Sequence, residues 1–148
     1  MKQLSPQPIH HRLIVVPIIY DQQGQVLICK KASDRGVFPG KWGLPGGGME
    51  PGEFMEEALR REVREELGIE IEDIQPLFFK EGVESKYRPG AKSESIHMVY
   101  LLFRCRATSR ELILNREFVD FAWVLPSELR GFDLDPETTR TFAELKII

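Results

Sequence analysis

With 148 residues, 42% of them hydrophobic, and a formal net charge of −3, the chain can bury one domain's core. It lacks the basic surplus that nonspecific nucleic-acid binding requires. No apolar run reaches membrane-spanning length. Residues 1–10, with Pro6 and Pro8, hold no signal-like apolar stretch and are expected to form a flexible tail. The expectation is a soluble, cytoplasmic, single-domain protein over 1–148.

Residues 11–20 (H-R-L-I-V-V-P-I-I-Y) are β-rich and almost continuously apolar, which predicts a buried strand with Pro17 at a bulge or an edge. A turn at 21–24 leads to the return strand of a hairpin over 25–30. His10 and His11 adjoin without a third ligand at metal spacing, so a flexible or strand-edge role is expected. Residues 31–41 are a loop. A short strand over 42–44 then runs into the glycines Gly46, Gly47 and Gly48. The G-K-[ST] ending of a phosphate-binding P-loop is absent. Cys29 and Cys105 each lie in an apolar run and read as buried structural thiols.

Helix formers then fill the chain up to Leu67, and Gly68 is a helix stop. Glu53, Glu56 and Glu57 suit the positive end of the helix dipole. Glu62, Glu65 and Glu66 are spaced i, i+3, i+4 and share one side, with Met55, Ala58 and Leu59 preceding them on that side. Glu57, Arg60, Arg61 and Arg64 spread over the other. A charged surface helix accounts for Glu57, Arg60 and Arg64. It does not account for Glu62 and Glu66 on the apolar side. Three carboxylates turned toward the protein body are costly without a cation, and an all-oxygen set suits Mg²⁺ or Mn²⁺. Arg61, beside Glu62 and four before Glu65, is placed to orient a carboxylate.

Beyond the helix, 69–80 alternates as a strand past Pro76. Residues 81–93 are polar and read as an exposed loop. There Tyr87, Arg88 and Lys92 either meet a base or phosphate or decorate the surface. Residues 94–107 form the longest strand, with 98–103 in the core and His97 as a lone structural residue. A short strand at 111–115, a turn at 115–118 and a strand at 119–125 follow. A short helix from Pro126 is expected to be capped by Ser127. The last helix, 135–145, has Asp135 as its cap and Pro136 in its first turn. Strands on both sides of a central helix, closed by another helix, make an α/β sandwich.

From Gly47 to Ile69 the chain fits G-x5-E-x7-R-E-U-x-E-E-x-G-U, with U apolar, at every fixed position: Gly47, Glu53, Arg61, Glu62, Val63, Glu65, Glu66, Gly68 and Ile69. A chance match is on the order of one in ten million. The stretch resembles the Nudix box. The approach W-G-L-P-G-G, the segment Y-L-L-F-R-C and the segment E-F-V-D-F-A-W-V extend the likeness over nearly the whole chain. They look like the bacterial nucleoside triphosphatase branch that prefers pyrimidine deoxynucleotides.

The resemblance implies a Nudix-type α/β/α sandwich with a mixed central sheet. It implies Mg²⁺-dependent (or Mn²⁺-dependent) hydrolysis of nucleoside triphosphates to monophosphate and pyrophosphate. Glu62, Glu65, Glu66 and the carbonyl of Gly46 are then the metal ligands. The general base is drawn from Glu62, oriented by Arg61, or Glu117, which otherwise is a turn-surface carboxylate. Glu53 either caps the helix, bonds Arg61 or touches metal. No nucleic-acid polymer or membrane partner is expected, and a homodimer is common among similar proteins. Two alternatives stay open. One is a nucleotide sugar or dinucleotide as substrate. The other is a catalytically silent module that senses a nucleotide.

Overall fold

The computed structural model describes residues 10–148, so the expected N-terminal tail lies outside the described residues except for His10, which opens β1. The strands are β1 (His10–Tyr20), β2 (Val26–Lys31), β3 (Gly36–Val37), β4 (Trp42–Gly43), β5 (Gly47–Gly48), β6 (Ile71–Tyr87), β7 (Glu94–Ala107) and β8 (Phe118–Val124). The helices are α1 (Met55–Leu67) and α2 (Pro136–Glu144), with a 3-10 turn at Pro126–Gly131. One mixed sheet runs β3-β6-β7-β1-β2-β4, with β5 added to β1 and β8 to β2. Among the described residues only β1 and β7 pair in parallel; the other ladders are antiparallel. The mixed sheet between α1 and α2 is the α/β/α layering that the resemblance implied.

Alternation along β1 divides the core. Val15 and Ile19 pack with Ala58, Leu59, Val63 and Leu67 of α1. Val16 and Ile18 face the other way, onto Leu129 of the 3-10 turn and Phe142 of α2. Phe142 is fully buried. Phe142→Ala is therefore expected to cost about 3–5 kcal/mol, read by urea denaturation. Among the described residues, no helix is long and apolar enough to cross a membrane.

The hairpin expected at 11–30 exists only at its tip. β1 and β2 touch at Tyr20 and Val26 and then diverge. β5 fills the fork on the β1 side at Ile14 and Val15, and β4 fills it on the β2 side at Cys29 and Lys30. Pro17 marks neither a bulge nor an outermost strand. It stands opposite Phe103 in the unbroken β1–β7 ladder. On its other flank β1 is unpaired from Val16 to Ile19, so a residue without an N–H is tolerated there.

Four further expectations are corrected. The loop expected at 81–93 is confined to 88–93, because β6 runs to Tyr87 and pairs with β7 up to Lys86 and Glu94. Its polarity misled because its inward face carries charged side chains instead of apolar ones. The loop at 31–41 contains β3, which pairs with Lys86 and Tyr87. Residues 111–115 form no strand. Their amides at Ile113 and Asn115 bond the free carbonyls of Leu67 and Glu66 at the end of α1. Ser127 is not a cap, since Pro126 takes the first helical position and Leu125 the cap. Asp135 does cap α2, accepting from the Thr138 amide. Cys29 and Cys105 are buried and unpaired, and burial pushes the Cys105 thiol up to about 12.

Candidate active site

The fork between β1 and β2 is where α1 delivers its carboxylates. Glu66 is 6% exposed. Its Oε1 accepts the Gly46 amide at 2.9 Å. Burial raises its carboxyl well above the usual range, and the charges of Glu62, Glu117 and Glu65 add to this against the opposing Gly46 bond. Glu62 is mostly covered, and its carboxyl is also raised by burial, which outweighs the bond from Arg61. Glu65 remains 56% exposed. Met55, expected on the buried side, is exposed, and Val63 takes that place beside Ala58 and Leu59. At the first turn of α1 the chain is still approaching the sheet.

Arg61 is the hub. Its Nε and Nη2 grip Glu53 at 2.6 and 2.9 Å. Its Nη1 reaches Glu62 at 2.9 Å and Glu65 at 3.2 Å, and its Nη2 also bonds the Gly48 carbonyl. The Arg61 bonds hold the Glu53 carboxyl down at about 2. Glu53 also accepts the Glu50 amide at 2.7 Å. Of its three expected roles, the bond to Arg61 is the one its contacts display.

The glycines make room for this arrangement. Gly46 has φ 146°, and a Cβ there would lie 2.5 Å from the Val15 carbonyl oxygen. A Cβ on Gly47 would occupy the place of the Glu62 carboxylate. Among the described residues no three acidic, imidazole or thiol groups close on a common point, because Glu62 and Glu65 are turned to Arg61. The donor set nonetheless fits a hard divalent cation. It is all oxygen, its innermost carboxylate is buried with one hydrogen bond, and its neighbours repel it.

A cleft opens from this point across the sheet face that carries α2. Gly46, Gly47, Gly48 and Glu66 form one end, with Glu117 lining the same space. Arg12, Arg35 and Lys86 flank it, and Lys80, Tyr100, Glu137 and Thr141 line it as well. Arg12 lies across Gly48, where a side chain would collide with its guanidinium. Neither Arg12 nor Lys86 forms an ion pair with another described residue. Burial lowers the Lys86 ammonium, and the charges of Arg12 and Arg88 add to this. Lys80 sits 2.7 Å from Glu137, yet its buried Nζ makes no well-directed hydrogen bond.

Of the sequence candidates, Gly46, Arg61, Glu62, Glu65 and Glu66 come together, and Glu117 joins them from the β8 side. Tyr87, Arg88 and Lys92 do not line the cleft: Tyr87 and Lys92 are exposed and Arg88 pairs with Glu94 at 3.4 Å. Arg12, Lys80, Lys86 and Glu137 were missed. The period-two pattern Lys80, Glu84, Lys86 was the available signal, hidden by ending the strand at Lys80 and reading 81–93 as a loop.

Comparisons with known proteins bear on the family and the fold. A family model described as the NUDIX domain matches residues 10–145. A protein of Enterobacter sp. (strain 638) named nucleoside triphosphatase NudI is 49% identical over 138 residues, 92% of this chain and 97% of that one. The protein of the same name from Salmonella agona is 48% identical, covering 91% and 96%. Among solved structures, a MutT NUDIX hydrolase from Burkholderia pseudomallei matches with TM-score 0.72 and 26% identity, covering 90% of this chain and 97% of that one. A MutT protein from Methanosarcina mazei Go1, at TM-score 0.69 and 24% identity over 93% and 94%, shares the fold.

Proposed function

The chain belongs to the Nudix family, and on that premise we propose that it hydrolyses nucleoside triphosphates, pyrimidine deoxynucleotides foremost, to monophosphate and pyrophosphate. The observation that carries the reading is Glu66, buried among other carboxylates at the head of a cleft flanked by unpaired cations. The names of the relatives support the substrate class. We place this work in the cytoplasm, where nucleoside triphosphates are made and used.

Glu62, Glu65, Glu66 and the Gly46 carbonyl would hold Mg²⁺, with Mn²⁺ as a substitute. Bound there, the cation neutralises phosphate charge and makes a water more acidic. Arg12 and Lys86 bind the phosphate oxygens, which is why neither is spent on a carboxylate. Glu62, its proton affinity raised by burial and its carboxylate aimed by Arg61, takes the proton from the attacking water. Glu117 adds a further carboxylate on the cleft side. Arg61 acts as a positioning residue through Glu53, Glu62 and Glu65. The nucleoside lies toward Lys80, Tyr100 and Glu137.

A turnover screen in excess Mg²⁺ tests this. The panel holds the common NTPs and dNTPs, ADP-ribose and nucleotide sugars, with products separated. Preferred cleavage of dCTP, dTTP or dUTP, with pyrophosphate released, is expected. Cleavage confined to nucleotide sugars or ADP-ribose overturns the substrate class, and silence across the panel overturns the enzymatic reading. Lys86→Ala should raise KM for the best substrate about tenfold with a smaller change in kcat, as removing a charged hydrogen-bond donor to phosphate does.

A further inference from the structure

The face of the sheet opposite the cleft carries a cluster that the reaction does not use. His11 of β1 and His97 of β7 stand directly opposite each other in the parallel ladder. They therefore project on the same side. Neighbours Arg12 and Met98 line the cleft, so the two histidines lie on the other face. Neither is the isolated residue that its place in the sequence suggested. The His11 and His97 Nδ1 atoms are 2.8 Å apart. The other ring nitrogen of His97, Nε2, is 2.8 Å from Oε2 of Glu81 on β6. The two rings meet edge to face, with centroids 4.9 Å apart and planes at 78°.

This network sets the proton positions. With both imidazoles neutral, a carboxylate at Glu81 only accepts, so the His97 proton sits on Nε2 and leaves a lone pair on Nδ1. His11 then donates its Nδ1 proton to that lone pair. An imidazole whose far nitrogen donates to a carboxylate is the arrangement that orients a histidine for metal binding and raises its basicity.

We propose that His11 and His97 form a two-imidazole site for a tetragonal divalent transition-metal ion, Cu²⁺ or Ni²⁺, with Glu81 as the partner that orients His97. Two metal–nitrogen bonds of about 2.0 Å meeting at a right angle span about 2.8 Å, the separation already present. Cis positions of a square-planar or tetragonal ion have that angle, and imidazole is a preferred ligand of both metals. His11 moves its proton from Nδ1 to Nε2, with no change in net charge, and the ion replaces the N–H···N bridge. Each ring turns about its Cβ–Cγ bond to aim its lone pair at the ion. His11 is exposed and His97 is 26% exposed, so neither turn meets a packed core. Water fills the remaining positions. Occupancy would tie β1 to β7 at the open end of the sheet.

Equilibrium dialysis of Ni²⁺ against the full-length protein, in millimolar Mg²⁺ to occupy the carboxylate site, tests the proposal. Wild type should bind one Ni²⁺ per chain at this site. His11→Ala and His97→Ala should each abolish that binding while leaving turnover unchanged. Glu81→Gln should weaken it by roughly ten- to a hundredfold, as loss of an orienting carboxylate does. His10→Ala serves as the control, since its ring lies on the other face, and should bind as wild type does. Cu²⁺ electron paramagnetic resonance should show two equivalent nitrogens in wild type and one or none in each single variant. Unchanged Ni²⁺ binding in both His11→Ala and His97→Ala overturns the proposal, as does an equal loss in His10→Ala. Circular dichroism and retained turnover separate loss of the site from loss of the fold.

Discussion

Glu66→Gln is expected to lower turnover by roughly a thousandfold, in line with the loss of a group that organises charge at the reacting phosphate. The same change should raise the melting temperature of the metal-free protein. The two effects have one cause. Burial and the charges of Glu62, Glu117 and Glu65 raise the Glu66 carboxyl well above its unfolded value. A raised carboxyl contributes most below its unfolded pKa, and that contribution is lost as pH rises through the folded one. Ionising Glu66 in the metal-free protein is thus unfavourable, and glutamine removes that cost. The glutamine oxygen can still accept the Gly46 amide, so no buried hydrogen bond is sacrificed. Its amide group gains carboxylate acceptors nearby. Thermal melts in EDTA and in Mg²⁺ read both arms. Wild type should gain several degrees on adding Mg²⁺, and the variant little. A variant that melts lower than wild type in EDTA would show that Glu66 is stabilising without metal, and retained turnover would remove it from the metal site.

How much of this was readable beforehand follows from which interactions are local. Helix α1 is specified by its own residues. Gly68 ends it with φ 69°, and the spacing of Glu62, Glu65 and Glu66 fixes their common side. The carboxylate cluster and its Arg61 hub therefore stood in the sequence. The far end of the cleft did not. Lys80 and Lys86 come from an edge hairpin whose inward face is charged, so the usual polar-out alternation was inverted and the strand beyond Lys80 passed for a loop. Arg12 is brought over Gly48 only by the fork between β1 and β2, a feature that depends on long-range pairing. His11 and His97 are 86 positions apart and become neighbours only through the parallel ladder. Residues 111–115 failed for a related reason. Their backbone partners are helix carbonyls, which no period in the sequence announces.

Asp135→Ala should be the most damaging single change at the cleft wall, costing about 3–5 kcal/mol because it leaves a largely buried cation without its partner. Asp135 is 1% exposed and does three things. Its Oδ1 caps α2 at the Thr138 amide, 2.6 Å away. Its Oδ2 accepts from the Thr138 hydroxyl at 3.0 Å and from Lys31 Nζ at 2.8 Å. Its own amide donates to the Trp42 carbonyl at 2.8 Å, which ties the start of α2 to β4. Loss of the cap alone is worth about 1 kcal/mol. The excess must come from Lys31, which is 18% exposed and otherwise bonds only the Val37 carbonyl, at 3.1 Å. Asp135→Asn separates the terms, since it keeps an acceptor for the Thr138 amide and removes the charge facing Lys31. Adding Lys31→Met to Asp135→Ala should recover part of the loss, because replacing both members of a buried pair costs less than orphaning one. Urea titration of wild type, Asp135→Ala, Lys31→Met and the double variant measures the cycle, with Asp135→Asn as a fifth protein. If Asp135→Ala loses only the worth of a cap, and Lys31→Met restores nothing, the Lys31 ammonium reaches water and the pair contributes no stability. If the recovery is seen, the ion pair fastens α2 to β2, and with it the wall from which Glu137 and Thr141 line the cleft.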